Sequence, residues 1–517
     1  MQKLWHFLQV HHKYVWGIAS QSLVRDKIFC SVRSIGTFHL RLAPMSDTAS
    51  RFALLHQMVG AHGAHAANAI ERLVQDGQDA ALCRINAYNF AARHGLDEGQ
   101  TVDAFVHASH LGLFDLSWNL LCPGCGGVLA ASASLKSVDQ ATYYCALCAA
   151  GYEPTLDEMV EVSFTVSPGV RRIAAHDPHT LAMWDFYRQN FWSSGIRIPE
   201  GAAFQELLDA VILDADEIPP RGKCILNVQL PPKFLIVFDP ITHSATFIEV
   251  QGEPCRTRQD VTVVFNDVSA PTGSLQLRPG PLRLTLENQT DHRVLPGIFI
   301  ANDQLHDLLG QRQRFLTARD LLTRQTFRDL YRADTLDINQ RMKITSLTIL
   351  FTDLKGSTEL YERVGDLAAY DLVRAHFRVL NEVVAAESGS VVKTIGDAVM
   401  ATFPTAERGL QAALHMREAM GRLNAPVDRE DLLLKIGLHE GPCLAVTLNE
   451  RLDYFGQTVN IAARVQGLAE SHTILTTEPV VSNPNVARFM ALQGLQANPR
   501  QAQLRGIKEA LTVFEIP

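Results

Sequence analysis

No stretch of this sequence is apolar for long enough to cross a bilayer. The best candidates are strand-length pieces such as Phe234-Leu-Ile-Val-Phe238, against the roughly 20 residues a membrane helix needs. Collagen-like, mucin-like and glutamine-rich tracts are missing, as are internal repeats, so fibrous and wholly disordered readings fail. Neither charge dominates: 47 Lys+Arg stand against 55 Asp+Glu, a net −8, so nothing suggests a chain that coats nucleic acid or clings to anionic lipid over its whole surface. Neither a Gly-x-x-x-x-Gly-Lys loop nor a Gly-x-Gly-x-x-Gly fingerprint occurs, which sets aside P-loop and Rossmann enzymes. Cysteine is sparse and odd in number, nine in 517 residues. Four of the nine form two Cys-x-x-Cys pairs, which points to a metal site in a reducing compartment, the cytoplasm by default, and away from a disulfide framework.

What is present fits a multidomain α+β chain, with about three domains expected at roughly 150 residues each. Residues 1–44 carry Lys3, Lys13, Arg25, Lys27, Arg33 and Arg41 against the single acid Asp26. They lack a clear signal-peptide core and precede a start-like Met45-Ser-Asp-Thr, so they read as a poorly structured extension or an overlong start assignment. Residues 45–120 are Ala- and Leu-rich with amphipathic spacing and read as helical. Residues 156–301 hold short β-rich runs, among them Val162-Ser-Phe-Thr-Val166 and Leu282-Arg-Leu-Thr-Leu286, separated by Pro and Gly turns, as in a β-sandwich or barrel. Residues 302–342 repeat Leu and Phe at near-helical intervals among Arg and Asp, as in one or two amphipathic helices, here read as a transmitter. From 343 to 517 strand-like and helix-like patterns alternate.

Between the helical and β-rich regions, at 121–155, lie Cys122-Pro-Gly-Cys125 and Cys145-Ala-Leu-Cys148, with 19 residues between the inner cysteines. Two such knuckles suit one tetrahedral Cys₄ zinc ribbon. Four protein ligands leave no open position for water, so one structural Zn²⁺ is expected, bracing the N-terminal half. Few basic residues surround it, which argues against nucleic-acid binding. His176-Asp-Pro-His179 is assigned no chemistry, because loop capping explains it as well.

The C-terminal third carries the chemistry. The apolar strand Leu347–Phe351 ends in Thr352-Asp353-Leu-Lys-Gly356-Ser357-Thr358 before a helix opening. Asp353 would sit at the sheet edge, Gly356 would permit close backbone approach, and the free NH groups of the new helix, at Ser357 and Thr358, could face phosphates. Gly396-Asp397 reads as a tight hairpin turn. On adjacent strands, Asp353 and Asp397 could hold two Mg²⁺ ions that take their remaining oxygens from water and a substrate triphosphate. Asn460 and Arg464 fall four apart on one helical face and can address one ligand.

From Lys343 to Pro517 these motifs, in this order, resemble the class III nucleotidyl cyclases. The resemblance implies a ferredoxin-like catalytic domain in which Asp353 and Asp397 hold two Mg²⁺ or Mn²⁺ ions. It gives Lys393 and Asp453 the purine-reading roles, with a Lys/Asp identity that favours adenine; guanine-reading members typically carry Glu and a small residue there. Asn460 would orient the ribose and Arg464 would stabilise charge growing on the α-phosphoryl group. Lys435 and Lys508 are candidates for the outer phosphates, although Glu440-Gly-Pro-Cys443 departs from the basic residue often found in that stretch. In the family the pocket lies at a pseudo-twofold interface, and one chain here contains both halves of the set. The resemblance therefore implies a homodimer with two composite sites, acting on ATP. The position of the 302–342 helices alone points to regulation through the N-terminal region by an unidentified ligand or protein; the competing reading is that they only pack against their own domain. The rivals are guanylate cyclase and a catalytically silent nucleotide sensor or zinc-ribbon interaction protein; the intact set of both acids, Asn460 and Arg464 argues against silence.

Overall fold

The computed structural model describes residues 48–517, except 139–140, 267–273, 332–335, 338–339, 425–431, 449 and 508–509 and the side chains of 357 and 358. The extension read at 1–44 lies outside the described residues. The described residues open with α1 (Thr48–Asp76), broken at Gly60, whose φ of 59° no continuous helix allows. Two shorter helices follow, α2 (Ala87–His94) and α3 (Glu98–His110). Asn86 and Asp97 set their starts by accepting hydrogen bonds from the Tyr88, Asn89 and Gln100 NH groups. The three helices pack on a sheet of β1 (Phe114–Leu121), β2 (Val128–Ser132) and β5 (Val160–Val166), in the order β2-β1-β5. Between β2 and β5 stands a separate hairpin, β3 (Tyr143–Cys145) with β4 (Ala150–Tyr152).

After two short turns of helix and α4 (Met183–Phe186), α5 (Ala202–Val211) leads into the middle region. Its strands are β6 (Ile212–Ala215), β7 (Lys223–Leu230), β8 (Phe234–Asp239), β9 (Ser244–Val250), β10 (Gln259–Phe265), β11 (Leu275–Leu277), β12 (Gly280–Asn288) and β13 (Gly297–Ile300). They form sheets ordered β10-β12-β7 and β11-β9-β8-β13-β6, closed on one another over Leu226, Leu235, Val237, Phe265, Leu284 and Ile298. The strict alternation of buried and half-buried positions along β12 is the pattern of a strand with one face in a core. Val162–Val166, grouped by its texture with this region, instead pairs antiparallel with β1, register Trp118 to Val162.

Among the described residues of 302–342 stand three short helices, more than the one or two expected: α6 (Asp303–Gly310), α7 (Ala318–Leu322) and α8 (Gln325–Leu330), with extended chain at 311–317 between the first two. They are pinned on the N-terminal side by Val162 N–H donating to Leu316 O at 2.7 Å and by the Arg324–Asp103 ion pair at 2.9 Å.

The last third is a sheet with helices on one face: β14 (Arg341–Leu354), α9 (Ser357–Val364), α10 (Asp366–Ala386), β15 (Ser390–Ile395), β16 (Ala398–Phe403), α11 (Ala406–Asn424), β17 (Leu434–Leu448), β18 (Arg451–Phe455), α12 (Gln457–Gly467), β19 (Ile474–Thr477), α13 (Glu478–Val481), α14 (Pro484–Gln493), β20 (Asn498–Ala502) and β21 (Leu511–Ile516). The order is β15-β16-β14-β17-β19-β21-β20, with β18 on the far end of β17. Period-two alternation splits β14 between two cores. Leu350 and Leu354 meet α10 and α11 through Leu380, Leu410 and Met416, whereas Leu347, Ile349 and Phe351 face a cluster that includes Trp118, Phe327 and Leu321 from the upstream chain. Both faces of the central strand are therefore buried, which is why Leu347 to Thr352 are all buried and four of those six residues are apolar. A bulge at 344–347 is fixed from outside the sheet, where the Asp157 carboxylate accepts from the Thr345 and Ser346 NH groups, each at 3.0 Å.

Candidate active site

Asp353 leaves β14 one residue before its end, opposite Lys435 on β17, while Thr352 pairs with Val399 on β16. Ile395 pairs with Ala398 across the two-residue Gly396-Asp397 turn, and Gly396 has φ 65°, a left-handed conformation that glycine adopts without a steric penalty. The turn therefore sits beside the end of β14, and Asp353 and Asp397 come together. Electrostatics registers the proximity. Burial raises the Asp353 pKa above the ordinary carboxylate value and the Asp397 charge raises it further, while Lys435 pulls it back down. Oδ2 of Asp397 is buried and has no hydrogen-bond partner among the described residues. Two converging carboxylates, one with an orphaned oxygen, form an all-oxygen donor set that fits a hard divalent cation. Beneath the turn lies His376 of α10, fully buried, with its pKa pushed down to about 4 by burial despite the upward pull of Asp397. Sequence reasoning passed over His376, whose only signal is a histidine on the apolar face of α10.

Lys393 on β15 and Asp453 on β18 come together as well, Nζ to Oδ2 at 2.5 Å, with the Asp453 side chain 12% exposed and Lys393 41%. Asp453 Oδ1 also accepts from the Tyr454 NH at 2.8 Å. Both strands are gripped by the helices upstream. Gln325 Oε1 accepts from Val391 N–H at 2.9 Å, two residues before Lys393, and Arg328 Nη2 donates to Leu452 O at 2.8 Å, next to Asp453.

Asn460 and Arg464 both lie on α12, Asn460 exposed and Arg464 half-buried. Neither makes a hydrogen bond or ion pair with Asp353 or Asp397 among the described residues; the Arg464 guanidinium lies near Gly506, where a Cβ would sit 3.4 Å from Nη2. Backbone contact fixes the helix on the sheet: a Cβ at Gly437 of β17 would come within 2.2 Å of Gln466 N, so only glycine lets α12 cross there. Gly356, with φ 70°, is the residue from which α9 starts, and Ser357 and Thr358 form its first turn. Lys508 lies outside the described residues. His176, by contrast, is tied up in its own loop, with Nδ1 accepting from Ile173 N–H at 3.0 Å and Nε2 against Val166 O at 2.7 Å.

Residues 340–514 match the family described as "Adenylate and Guanylate cyclase catalytic domain". The C-terminal third is a nucleotidyl cyclase catalytic domain of class III. An adenylate cyclase of Anabaena cylindrica is 26% identical over 185 residues, 33% of this chain and 36% of that protein. Guanylate cyclase 32E of Drosophila melanogaster is 30% identical over 144 residues, 26% of this chain and 12% of that one. The crystal structure of the adenylyl cyclase CyaB from P. aeruginosa is 21% identical and covers 34% of this chain and 96% of its own, with a TM-score of 0.31. The chain thus spans about a third of the length of the Anabaena relative and less of the Drosophila one. Upstream of the cyclase domain, residues 45–329 match the family described as "Family of unknown function (DUF5939)", to which the chain belongs. No helix among the described residues is long and apolar enough to cross a membrane.

Upstream of the cyclase domain the four cysteines of the two knuckles also meet. Their sulfurs all lie within 4.8 Å of one another, with Cys122 to Cys148 at 3.6 Å and Cys125 to Cys145 at 3.7 Å. Zn–S bonds of about 2.3 Å in a tetrahedron place sulfurs about 3.8 Å apart, so the arrangement is compatible with zinc. Arg312 Nη2, from the chain after α6, donates to Gly124 O in the first knuckle at 2.8 Å.

Proposed function

We propose that this chain is an adenylate cyclase, converting ATP to 3′,5′-cyclic AMP and pyrophosphate at sites shared between two copies of the chain. The observation that carries the reading is the convergence of Asp353 and Asp397 with a buried, unpartnered Asp397 oxygen. The two acids would hold two divalent cations, Mg²⁺ or Mn²⁺, which when bound lower the pKa of the ribose 3′-hydroxyl and neutralise charge on the triphosphate. The 3′ oxygen attacks the α-phosphorus in line, its proton passes to solvent water, and the bond from the α-phosphorus to the bridging oxygen breaks to release pyrophosphate. Lys435, beside Asp353, and Lys508 would contact the outer phosphates, with Gly356, Ser357 and Thr358 lying along them. Arg464 would counter charge growing on the α-phosphoryl group while Asn460 fixes the ribose.

The Lys393–Asp453 pair supports adenine over guanine. The ammonium donates to ring nitrogen N1 and the carboxylate accepts from the exocyclic amine, whereas guanine offers a carbonyl at the second position and a protonated N1 at the first. With no base bound the two side chains satisfy each other, so ATP exchanges one ion pair for two hydrogen bonds. Cys122, Cys125, Cys145 and Cys148 would hold one structural Zn²⁺ in a zinc ribbon, and reduced thiols suit a cytoplasmic protein. The 45–329 region is read as the regulatory part, acting through 302–342.

The test offers ATP and GTP separately to the purified chain with Mg²⁺ or Mn²⁺, alongside Asp397→Ala. Cyclic AMP formed by the parent and lost in the variant is the expected result. Cyclic GMP as the main product would assign the guanylate cyclase reading, and nucleotide binding without turnover would assign a silent sensor.

A further inference from the structure

The region of unknown function contains a cleft of about 540 Å³ between residues 78–93 and 185–201. That is within the range of small-molecule sites, roughly 300–1,000 Å³. One wall of the cleft rests on a closed buried network. Glu161, fully buried on β5, accepts from Ser193 Oγ at 2.8 Å and from Ser194 N and Oγ at 2.9 and 2.7 Å, and it pairs with Arg84 at 2.8 Å. The charges of Glu161 and Arg84 therefore cancel within that wall. The lining also contains Arg93, Arg188, whose guanidinium lies 4.9 Å over the Phe204 ring, and Arg197, against two acids, Asp185 and Glu200.

A cavity lined with surplus positive charge fits a ligand rich in acceptor oxygens.

We propose that this cleft binds a small polyanion, a phosphate ester up to nucleotide size or a polycarboxylate, with Arg93, Arg188 and Arg197 as counter-charges. Its position suits a regulatory ligand. The network wall is strand β5, whose Val162 N–H is bonded to Leu316 O immediately before α7, and α7 and α8 reach the strands of Lys393 and Asp453. An effect on turnover rests on the cyclase reading; binding does not.

The experiment is calorimetric titration of the full-length protein with inorganic phosphate, ribose 5-phosphate and citrate. At least one probe binds, and its Kd rises about tenfold or more in Arg93→Gln and in Arg197→Gln, the loss expected for one charge-assisted contact at an exposed position. Binding stays unchanged in Asp397→Ala, which removes the proposed catalytic acid and so separates this site from the nucleotide site. Tighter binding of ribose 5-phosphate assigns a phosphate ester, and tighter binding of citrate a polycarboxylate. Failure of all three probes, or binding that neither arginine variant weakens, overturns the proposal.

Discussion

The shared pocket makes a quantitative demand on mixtures of dead enzymes. Asp353 and Asp397 gather with Lys435 at one end of the sheet, and among the described residues no hydrogen bond or ion pair joins them to exposed Asn460 or to Arg464. If a second copy completes the site, Asp397→Ala and Arg464→Ala each inactivate both pockets of their own homodimer. A lost transition-state contact costs on the order of 10²- to 10³-fold, so each parent should fall to about 1% or less. In a mixed dimer one pocket carries both lesions and the other carries none. Random 1:1 assembly makes about half of all dimers mixed, and half of their pockets intact, so the mixture should recover about a quarter of wild-type turnover. Mixed dimers isolated through two different affinity tags should reach about half. The assay is cyclic AMP formed from ATP as the mixing ratio is varied, with a maximum at equal amounts. A mixture no better than the mean of its parents, with mixed dimers demonstrably present, would show that each chain holds a complete site and would end the composite model.

Two further outcomes follow from the geometry. Asp353 has its pKa raised in the folded state, so the native protein binds that proton more tightly than the unfolded chain does, and stability is lost as pH climbs from the ordinary value of 3.8 through the raised one. Asp353→Asn should therefore melt higher than the parent at pH 7 without divalent cation, with the gap closing in acid; a lower melting temperature at pH 7 would contradict the burial and repulsion assigned to this carboxylate. The cysteine cluster should bring about one zinc per chain through purification, measured by elemental mass spectrometry, and free zinc at 1,000 times its Kd would add about 4 kcal/mol of stability. Strong chelation or Cys145→Ser should lower the melting temperature by several degrees, whereas metal-free protein with two disulfides by mass would refute the site.

The elements easiest to read in the sequence were those dictated by local chemistry. Leu347–Phe351 is apolar at every other position and more, as a strand buried on both faces must be; Gly396-Asp397 is a turn because a two-residue hairpin loop needs a left-handed residue. The knuckles announce themselves by spacing alone. What escaped depends on partners distant in sequence. Val162–Val166 has the texture of a sandwich strand, yet its partner is Phe114–Leu121, and nothing in those five residues reveals which strand they will meet. The near-helical spacing of 302–342 does not show that extended chain at 311–317 interrupts it, where Gln313 N–H binds Gly195 O at 2.7 Å and Thr317 bridges to Glu161. His376 gave no signal because its significance is its place under a turn formed twenty residues later.

The face of the cyclase sheet that carries Leu347, Ile349, Phe351, Met400, Ala445 and Tyr454 is roofed by side chains from far upstream, Trp118, Leu321 and Phe327 among them, in one uninterrupted apolar mass. Cutting the gene at the family boundary near residue 340 would therefore unroof that sheet, leaving an oily surface that either recruits a second copy indiscriminately or drags the fragment out of solution. A biosensor engineer grafting another receptor onto this catalytic module therefore has to supply a matching apolar cover for that seam.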